Sequence, residues 1–374
     1  MNKVYLDNAS TAFPKASGVS ESIKEFIDNS CFNINRGGYG SAYDASMAVI
    51  ETREAVAELF NFNKPRNVIF TQSITHSLNY IIFGLLNGGG HCIVSDMEHN
   101  AVIRPLMMLK DVSFDKISAP EEIPGKVRSD TRLIIINHAS NVSGDIFPVK
   151  KAAEYARAAG VPIVVDSAQS AGVLPLDIEM FDCIAFTGHK GLLAAQGIGG
   201  FVIKDSLAES LTPLISGGTG SFSHIETQPD ILPDKFESGT MNLPAIIGLR
   251  ASLQYLKNIG VEKIHEHEML LTERFITGVS RIGGLRVIGK RGISLEGRVA
   301  VVSLDFPNRD NSEISQILDD QYGIMTRSGL HCSPCAHTVL GTYPHGTVRF
   351  SFGHGNAVED VDYAISSIKE ILNS

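Results

Sequence analysis

The chain has 374 residues, of which 43% are hydrophobic and 20% are charged. This length and composition predict a folded protein of about two to three domains, and they exclude a disulfide-stabilised miniature or an intrinsically disordered chain. The formal net charge of −9 disfavours nucleic acid and anionic lipid as partners, and no apolar run has the roughly 18 residues that a membrane span needs.

The first predicted element is a helix, because apolar residues recur at helical spacing at Val19, Ile23, Phe26 and Ile27. After it, short β-branched runs alternate with helical segments such as 149–159. The predicted strands are 68–71, 92–95, 133–136, 163–166, 183–186 and 201–203. Their continuous apolar character indicates strands buried on both faces, which is typical of a mostly parallel sheet in an α/β fold.

The second half of the chain predicts a smaller α+β domain. Residues 199–242 are rich in Gly, Ser and Pro and predict a long loop region, which a helical stretch from about 244 to 282 follows. The remaining elements are strands 299–304 and 347–351 with helices 312–322 and 358–372. We assign residues 16–250 to the large domain and residues 1–15 with 251–374 to the small domain.

The N-terminal residues and the cysteines indicate the compartment. The first residues, MNKVYLDN, lack the apolar core of a signal peptide, and five cysteines are an odd number for a disulfide framework. We therefore expect a cytoplasmic protein whose thiols are mostly free.

Two charged residues follow neighbouring buried strands. Asp166 ends one strand, and Lys190 lies in the run TGHK just after the next. Ligands of such sheets bind at the carboxyl ends of the strands. There a desolvated Lys can form a Schiff base with the aldehyde of pyridoxal phosphate (PLP), and a carboxylate can hold the proton of its ring nitrogen. A helix-capping Asp and a surface Lys are the alternatives.

Two other strand ends carry polar residues. Thr75 lies in the run TQSITHS, before a helix predicted to begin near Leu78, where hydroxyls and free amides can hold a phosphate; plain N-capping is the alternative. His99 follows the strand 92–95, where a flat ring can stack on a cofactor ring; an ordinary loop histidine is the alternative.

Arg349 lies inside the predicted strand 347–351, where a buried charge must be paired. A structural salt bridge satisfies this requirement. The alternative is a bidentate fork for a substrate carboxylate, because the two planar groups match in geometry.

The segment RSGLHCSPCAH concentrates reactive side chains and allows three interpretations. A zinc site at Cys332 and Cys335 lacks the second Cys-x-x-Cys that would complete four ligands, so we expect no metal. A redox dithiol is chemically allowed, but the flanking residues lack the thioredoxin context. The third interpretation is a nucleophilic Cys332 thiolate, with His331 and Arg327 nearby to favour the anion.

Short motifs in a fixed order extend over nearly the whole chain. They are YLDNA (5–9), NRG (35–37), MEHN (97–100), HASNVSG (138–144), VDSAQ (165–169), TGHK (187–190), FESGT (236–240), RSGLHC (327–332) and VRFS (348–351). In this order and spacing the chain resembles the PLP enzymes of aminotransferase class V, specifically the cysteine desulfurases and selenocysteine lyases of the SUF-like group.

The resemblance implies a PLP-dependent transferase of fold-type I that works as a homodimer. In such a protein Lys190 would bind the PLP aldehyde, His99 would stack on the ring, and Asp166 would contact the pyridine nitrogen. Gln169 would bond the phenolic oxygen.

The resemblance also implies which residues bind the phosphate and the substrate. The phosphate ligands would be Thr75, Thr187 and His189, with Thr240 from the partner subunit. The substrate-binding residues would be Asn141, Arg349 and Arg327.

The implied activity is release of sulfur from L-cysteine, or of selenium from L-selenocysteine, to give L-alanine, with Lys190, His99 and Cys332 as catalytic residues. Cys332 would carry the sulfur as a persulfide, a further protein would accept it, and the pathway served would be sulfur mobilisation such as iron–sulfur cluster assembly. One alternative is another class V reaction, an aminotransferase or epimerase, in which Cys332 is not a nucleophile. The other is a non-catalytic scaffold of the same fold.

Three positions depart from the family pattern. Asn35 replaces a common His, and Ile74 replaces a common Thr at the phosphate loop. Cys335 is an extra thiol, for which we consider a sulfur relay, a protective disulfide or no role.

Overall fold

A computed structural model describes residues 3–34 and 37–373. The helices are α1 (Val19–Asn29), α2 (Gly40–Leu59), α3 (Ile74–Leu86), α4 (Asn100–Met108), α5 (Ile123–Lys126), α6 (Val149–Ala159), α7 (Asp205–Ser210), α8 (Leu243–Ile259), α9 (Val261–Val279), α10 (Asn311–Tyr322), α11 (Pro334–Val339) and α12 (Val358–Asn373). The strands are β1 (Val4–Tyr5), β2 (Val68–Thr71), β3 (Gly90–Ser95), β4 (Val112–Ile117), β5 (Thr131–Asn137), β6 (Ile163–Asp166), β7 (Cys183–Thr187), β8 (Gly199–Ile203), β9 (Arg286–Ile288), β10 (Val301–Asp305), β11 (Ile324–Met325), β12 (Arg327–Gly329) and β13 (Thr347–Ser351).

The larger sheet has the strand order β2-β8-β7-β6-β5-β3-β4. Strand β3 pairs in parallel with β4 and β5, and β6 pairs in parallel with β5 and β7. Only β8 runs antiparallel to its neighbours, β2 and β7. The predicted α/β class with a mostly parallel sheet is therefore confirmed.

Helices cover both faces of this sheet, which explains the continuous apolar runs of its strands. In β5, Ile134 and Ile136 belong to the apolar cluster that includes residues of α6 and α8. Leu133 and Ile135 point the other way, into the cluster that includes residues of α3 and α4. Because successive side chains of a strand alternate between faces, both sets must be apolar.

The sequence prediction missed β4. Its residues VSFDKI alternate in polarity, and only Ile117 is fully buried. The strand lies at the edge of the sheet beside β3, so its exposed face accepts polar side chains.

Three predicted boundaries are wrong in detail. The helical stretch 244–282 is two helices, because Gly260 between them has φ 93°, a backbone conformation that ends α8. The helix expected near Leu78 begins at Ile74, and the loop region 199–242 contains β8 and α7. In α1, Ile27 is exposed rather than part of the packed face.

The smaller sheet is antiparallel, in the order β12-β13-β10-β9, and β1 pairs in parallel with β11. Val4 and Leu6 pack there with residues of α9, α10 and α12. Leu253 and Ile264, in contrast, pack with the larger sheet's helices. The domain boundaries at residues 15 and 250 stay a prediction.

Two polar contacts hold the smaller sheet against the edge of the larger sheet where the parallel strands end. Lys290 Nζ donates to Asp96 Oδ1 at 2.9 Å, just after β3. Asp145, in the loop after β5, forms a β-bridge with Arg298. Asp166, Lys190 and His99 lie at this same edge of the larger sheet. No helix of the residues described is long and apolar enough to cross a membrane.

Candidate active site

The parallel strands bring three of the predicted site residues to one edge of the sheet. Asp166 is the last residue of β6, Lys190 follows β7, and His99 is the N-cap of α4 after β3. They are close enough to interact electrostatically, since the charge of Lys190 acts to lower the pKa of both Asp166 and His99. The sequence prediction of one cluster at the strand ends agrees with this geometry.

The pKa values of Lys190 and Asp166 are shifted in opposite directions, and each shift suits a different chemical role. Burial lowers the pKa of Lys190 to about 8, and the positive charge of Arg349 adds to this while Asp166 opposes it. Burial raises the pKa of Asp166, against a hydrogen bond from Ala168 N at 2.9 Å and the charge of Lys190. An amine that is partly neutral near pH 8 is a nucleophile, and a buried carboxyl can pair with a protonated ring nitrogen.

His99 is a neutral ring in this cluster. Burial and the charge of Lys190 lower the pKa of His99 to about 4. Its Nδ1 accepts a hydrogen bond from Ala101 N at 3.0 Å, so the ring proton stands on Nε2. A neutral, oriented imidazole is suited to stacking on a flat cofactor.

Glu98 is a site residue that sequence reasoning missed. It is fully buried, and its Oε1 accepts hydrogen bonds from Ser95 Oγ at 2.6 Å and Asn137 N at 2.7 Å. Burial and the charge of Asp166 raise the pKa of Glu98 to about 8. The signal was present in the motif MEHN, where an acid precedes the histidine at a buried strand end.

A corner of the site fits a phosphate group. Thr187 Oγ1 and His189 Nδ1 are buried, and within residues 3–34 and 37–373 neither has a hydrogen-bond partner. Thr187 pairs with Gly199, and a Cβ on Gly199 would lie 2.8 Å from Ile74 N, so the start of α3 packs against this point. Unpaired donors beside a helix N-terminus are suited to an anion such as the phosphate of PLP.

The run before α3 also caps the helix. Ser73 is the N-cap residue, with His76 N donating to its side chain, and Thr71 Oγ1 hydrogen-bonds with Ser77 Oγ at 2.9 Å. Thr75 is exposed in the first turn of α3. Capping and phosphate binding are therefore compatible, because they use different residues of the same turn.

Two other predicted cofactor ligands have different surroundings. Gln169 Nε2 donates to Ala9 O at 3.0 Å, which connects the end of β6 to the N-terminal segment. Thr240 is exposed and lines a surface cavity of about 450 Å³ with His76. Thr240 therefore faces the same cavity as His76, beside the start of α3. Asn35 lies outside the described residues.

Arg349 forms the salt bridge that the sequence allowed. Its side chain is 1% exposed; Nη2 donates to Asp7 Oδ1 and Ser10 Oγ, both at 2.6 Å, and Nη1 donates to Asn141 O at 3.0 Å. Nε is buried and has no hydrogen-bond partner in the described chain. Arg327 Nη1 reaches the same Ser10 Oγ at 3.1 Å.

The two arginines therefore share Ser10 and differ in accessibility. Arg327 is partly exposed, whereas Arg349 is already paired with Asp7. Sequence reasoning missed Asp7 and Ser10, although both lie in or beside the motif YLDNA. A substrate carboxylate that reaches Arg349 must share it with Asp7.

Cys332 lies on a tight turn of residues 330–333, closed by a hydrogen bond from Ser333 N to Leu330 O at 2.8 Å. The central residues, His331 and Cys332, have φ of 48° and 59°. Positive φ at both central positions defines a type I′ turn, and it costs about 1–2 kcal/mol for each residue with a side chain. The turn presents an exposed thiol whose Sγ is 3.7 Å from Arg327 Nη2.

The turn is fixed by contacts to the loop after β5 and to the start of α4. Asn141 Nδ2 donates to His331 O at 2.7 Å, and Asn141 Oδ1 accepts from Ser333 Oγ at 2.8 Å. Asn100 N donates to Cys332 O at 2.8 Å. The amide that we predict to bind substrate thus already holds the nucleophile turn.

The other interpretations of this segment have no direct support in the geometry. All five cysteines are free, and the described residues contain no group of three or more His, Cys, Asp and Glu side chains that could hold a metal ion. Cys92 and Cys183 are buried in the sheet.

Comparison with known proteins places the chain in a family. The family model for aminotransferase class V matches residues 4–364. A probable cysteine desulfurase of Methanothermobacter thermautotrophicus is 31% identical over 98% of this chain and 94% of its own length. A probable cysteine desulfurase of Synechocystis is also 31% identical, over 99% of this chain and 91% of its own.

Solved structures agree with these sequence matches. The apo structure of a cysteine desulfurase from Thermococcus onnurineus has a TM-score of 0.90 at 29% identity and covers 99% of this chain and 95% of that one. The cysteine desulfurase CsdA of Escherichia coli has a TM-score of 0.87 at 28% identity, with the same coverage. By fold, motifs and relatives, the chain belongs to the aminotransferase class-V family and, within it, to the cysteine desulfurases.

Proposed function

We propose that this protein is a PLP-dependent cysteine desulfurase that takes sulfur from L-cysteine, or selenium from L-selenocysteine, and forms L-alanine. The observation that carries the proposal is the position of the Cys332 thiol. Its neighbour Arg327 also lowers the pKa of Lys190, so one arginine acts on both the nucleophile and the amine.

The residues that would hold PLP are those of the buried cluster. Thr187, His189 and Thr75 would bind its phosphate, Asp166 would pair with its ring nitrogen, and Lys190 would bind its aldehyde. Gln169 would bond the phenolic oxygen and His99 would stack on the ring. Bound there, PLP supplies an electron sink for negative charge that develops on the substrate carbons.

Lys190 and His99 support proton transfer in this site. With a pKa of about 8, the Lys190 Nζ can take a proton from the substrate Cα and return one to the product. The His99 ring stays neutral at physiological pH, so it does not repel the Lys190 ammonium.

Cys332 would carry out the sulfur transfer. Its thiolate forms an S–S bond to the substrate sulfur while the carbon–sulfur bond breaks, and the electron pair of that bond remains with the carbon skeleton. Protonation of that skeleton gives alanine, and the persulfide stays on Cys332. Arg327, 3.7 Å from Sγ, would stabilise negative charge there.

The substrate carboxylate would meet the arginine pair. Arg327 is the accessible member, and Arg349 Nε offers a buried donor that no described residue uses. Asn141 is the third predicted substrate residue, although both polar atoms of its amide contact the nucleophile turn.

We propose that the enzyme is a cytoplasmic homodimer that passes sulfur to an acceptor protein, as in iron–sulfur cluster assembly. Exposed large apolar side chains in the segment that precedes Thr240 support the dimer, because such residues concentrate at interfaces. They are Leu214, Ile215, Phe222, Ile225 and Ile231. In that dimer Thr240 would contact the phosphate of the partner subunit.

Alanine formed from L-cysteine in the presence of a reductant tests the proposal, with the wild type and Cys332→Ala side by side. Alanine from the wild type and almost none from the variant is the expected result. Equal rates of alanine formation by the two proteins would show that Cys332 is not the nucleophile. A keto acid instead of alanine would favour the second candidate, another class V reaction in which Cys332 is incidental.

A further inference from the structure

The segment after the nucleophile turn holds a second thiol that the proposed reaction does not use. Cys335 is partly buried at the second position of α11. Its Sγ accepts a hydrogen bond from Lys116 Nζ at 3.0 Å. Lys116 is an exposed residue of the edge strand β4, so this contact joins two distant parts of the chain.

The backbone keeps the two thiols near each other. Only Ser333 and Pro334 separate Cys332 from Cys335, and the tight turn of residues 330–333 leads directly into α11. Ser333 is buried and anchored to Asn141. Three peptide units hold the two Cα atoms within about 11 Å of each other, so the Cys-x-x-Cys spacing keeps both thiols in one short segment of the chain.

Each sulfur has a cation of its own. Arg327 Nη2 is 3.7 Å from Cys332 Sγ, and Lys116 Nζ is 3.0 Å from Cys335 Sγ. The terminal sulfur of a persulfide is more acidic than a thiol, so at neutral pH it carries negative charge. A lysine ammonium at hydrogen-bond distance stabilises such an anion.

We propose that Cys335 is a second sulfur-carrying site, which receives the persulfide sulfur from Cys332. This inference rests on the proposed desulfurase reaction. The Cys335 thiolate attacks the outer sulfur of the Cys332 persulfide; a new S–S bond forms at Cys335, the S–S bond at Cys332 breaks, and Cys332 leaves as a thiolate. No oxidant or reductant is consumed, because one persulfide is exchanged for another.

The exchange has a consequence for stoichiometry. Cys332 is exposed, whereas Cys335 is less exposed and bonded to Lys116. Transfer to Cys335 restores the nucleophile before any acceptor arrives. Each protomer can then react with a second substrate molecule and hold two sulfur atoms.

A single-mixing experiment without reductant or acceptor tests this. We expect the holoenzyme to give a burst of about two alanines per protomer, and Cys335→Ser to give about one. Cys31→Ser, which removes another exposed thiol, is the matched control and keeps a burst of about two. Cys332→Ser gives no burst, because Cys335 receives sulfur only through Cys332.

Mass-spectrometric mapping of alkylated peptides gives a readout independent of activity. We expect one added sulfur on Cys332 and one on Cys335 in the wild type. Lys116→Met slows the second alanine but leaves the first unchanged. A persulfide on Cys332 alone, or a burst of two that survives Cys335→Ser, overturns the inference and leaves the desulfurase function standing.

Two other outcomes are also decisive. A Cys332–Cys335 disulfide with release of sulfide would mean that Cys335 attacks the inner sulfur, which contradicts a carrier role. Absence of alanine from the wild type overturns the proposed function and this inference together.

Discussion

The pocket around Lys190 and the turn that carries Cys332 are built in opposite ways. The pocket residues follow buried strands of the larger sheet, and burial is the largest cause of the shifted pKa values of Lys190, Asp166 and His99. The turn has two side-chain-bearing residues at positive φ and exposes its thiol. This chain therefore obtains its acid–base chemistry from regular structure and its nucleophile from a strained turn held by side-chain contacts.

The largest loss of activity is expected for a change in the pocket around Lys190. Lys190→Ala removes the nucleophilic amine and the proton carrier, so we expect alanine formation to fall by at least about 10²–10⁴-fold. Borohydride treatment followed by mass spectrometry checks the cause, because PLP should no longer become attached to the protein. Lys151→Met, at an exposed position of α6, is the control that keeps both properties. Retention of the borohydride-stable adduct in Lys190→Ala would assign the aldehyde to another lysine.

For the turn that carries Cys332 we expect a smaller loss of activity, which appears in kcat and leaves KM and PLP content little changed. Asn141→Ala removes the hydrogen bonds to His331 O and Ser333 Oγ, each with a net contribution of about 0.5–1.5 kcal/mol. We expect kcat to fall roughly tenfold with KM and PLP content little changed.

Ser333→Ala is the matched variant, because it removes only one of those two contacts. It should lower kcat in the same direction and by less. A large increase in KM for Asn141→Ala, with Ser333→Ala unaffected, would instead mean that Asn141 acts through the substrate carboxylate.

The same contrast explains what the sequence could and could not predict. Asp166, Thr187 and Lys190 each follow an apolar run, and parallel topology alone brings such positions together. The pairing of Arg349 with Asp7 joins residues 342 positions apart, so no local pattern contains it. The sequence allowed a salt bridge at Arg349 but could not name its partner.

The turn was the least predictable part. Neither His331 nor Cys332 is the Gly, Asn or Asp that is typical of type I′ turns, so composition gives no sign of such a turn there. The contacts that impose it come from Asn141, in the loop after β5, and from Asn100, the first residue of α4. The conformation of the turn is set by tertiary structure. For this reason Asn141, which we expected to bind substrate, instead hydrogen-bonds to the backbone carbonyl of His331.

Glu98 gives a pH test of the pocket. Its folded pKa of about 8 lies above the ordinary value of 4.5, so between these values the folded state binds more protons than the unfolded state. Stability therefore falls as pH rises from about 4.5 to 8, at up to about 1.4 kcal/mol per pH unit. In Glu98→Gln this slope should be smaller, as measured by urea unfolding at pH 5, 6, 7 and 8.

Glu268 provides the comparison for Glu98. It is buried in α9, where it lines a small cavity that Lys190 also lines, and burial raises its pKa to about 8 as well. Glu268→Gln should reduce the slope similarly, whereas Glu98→Gln should also alter the pH profile of the reaction through Asp166. Identical slopes for wild type and Glu98→Gln would mean that Glu98 titrates normally.

The smallest effect concerns the strain in the turn itself. Cys332 has φ 59°, which costs a residue with a Cβ about 1–2 kcal/mol and glycine almost nothing. Glycine loses more chain entropy on folding, about 0.4–1 kcal/mol relative to alanine, so the two terms partly offset. Cys332→Gly should therefore be more stable than Cys332→Ala by up to about 1 kcal/mol in urea unfolding, although both lack the thiol. If Cys332→Ala were the more stable variant, the turn would relax without cost, and the contrast between a strained turn and an unstrained pocket would fail. The hydrogen bond from Asn100 N to Cys332 O involves only backbone atoms and is present in both variants, so it does not enter the difference.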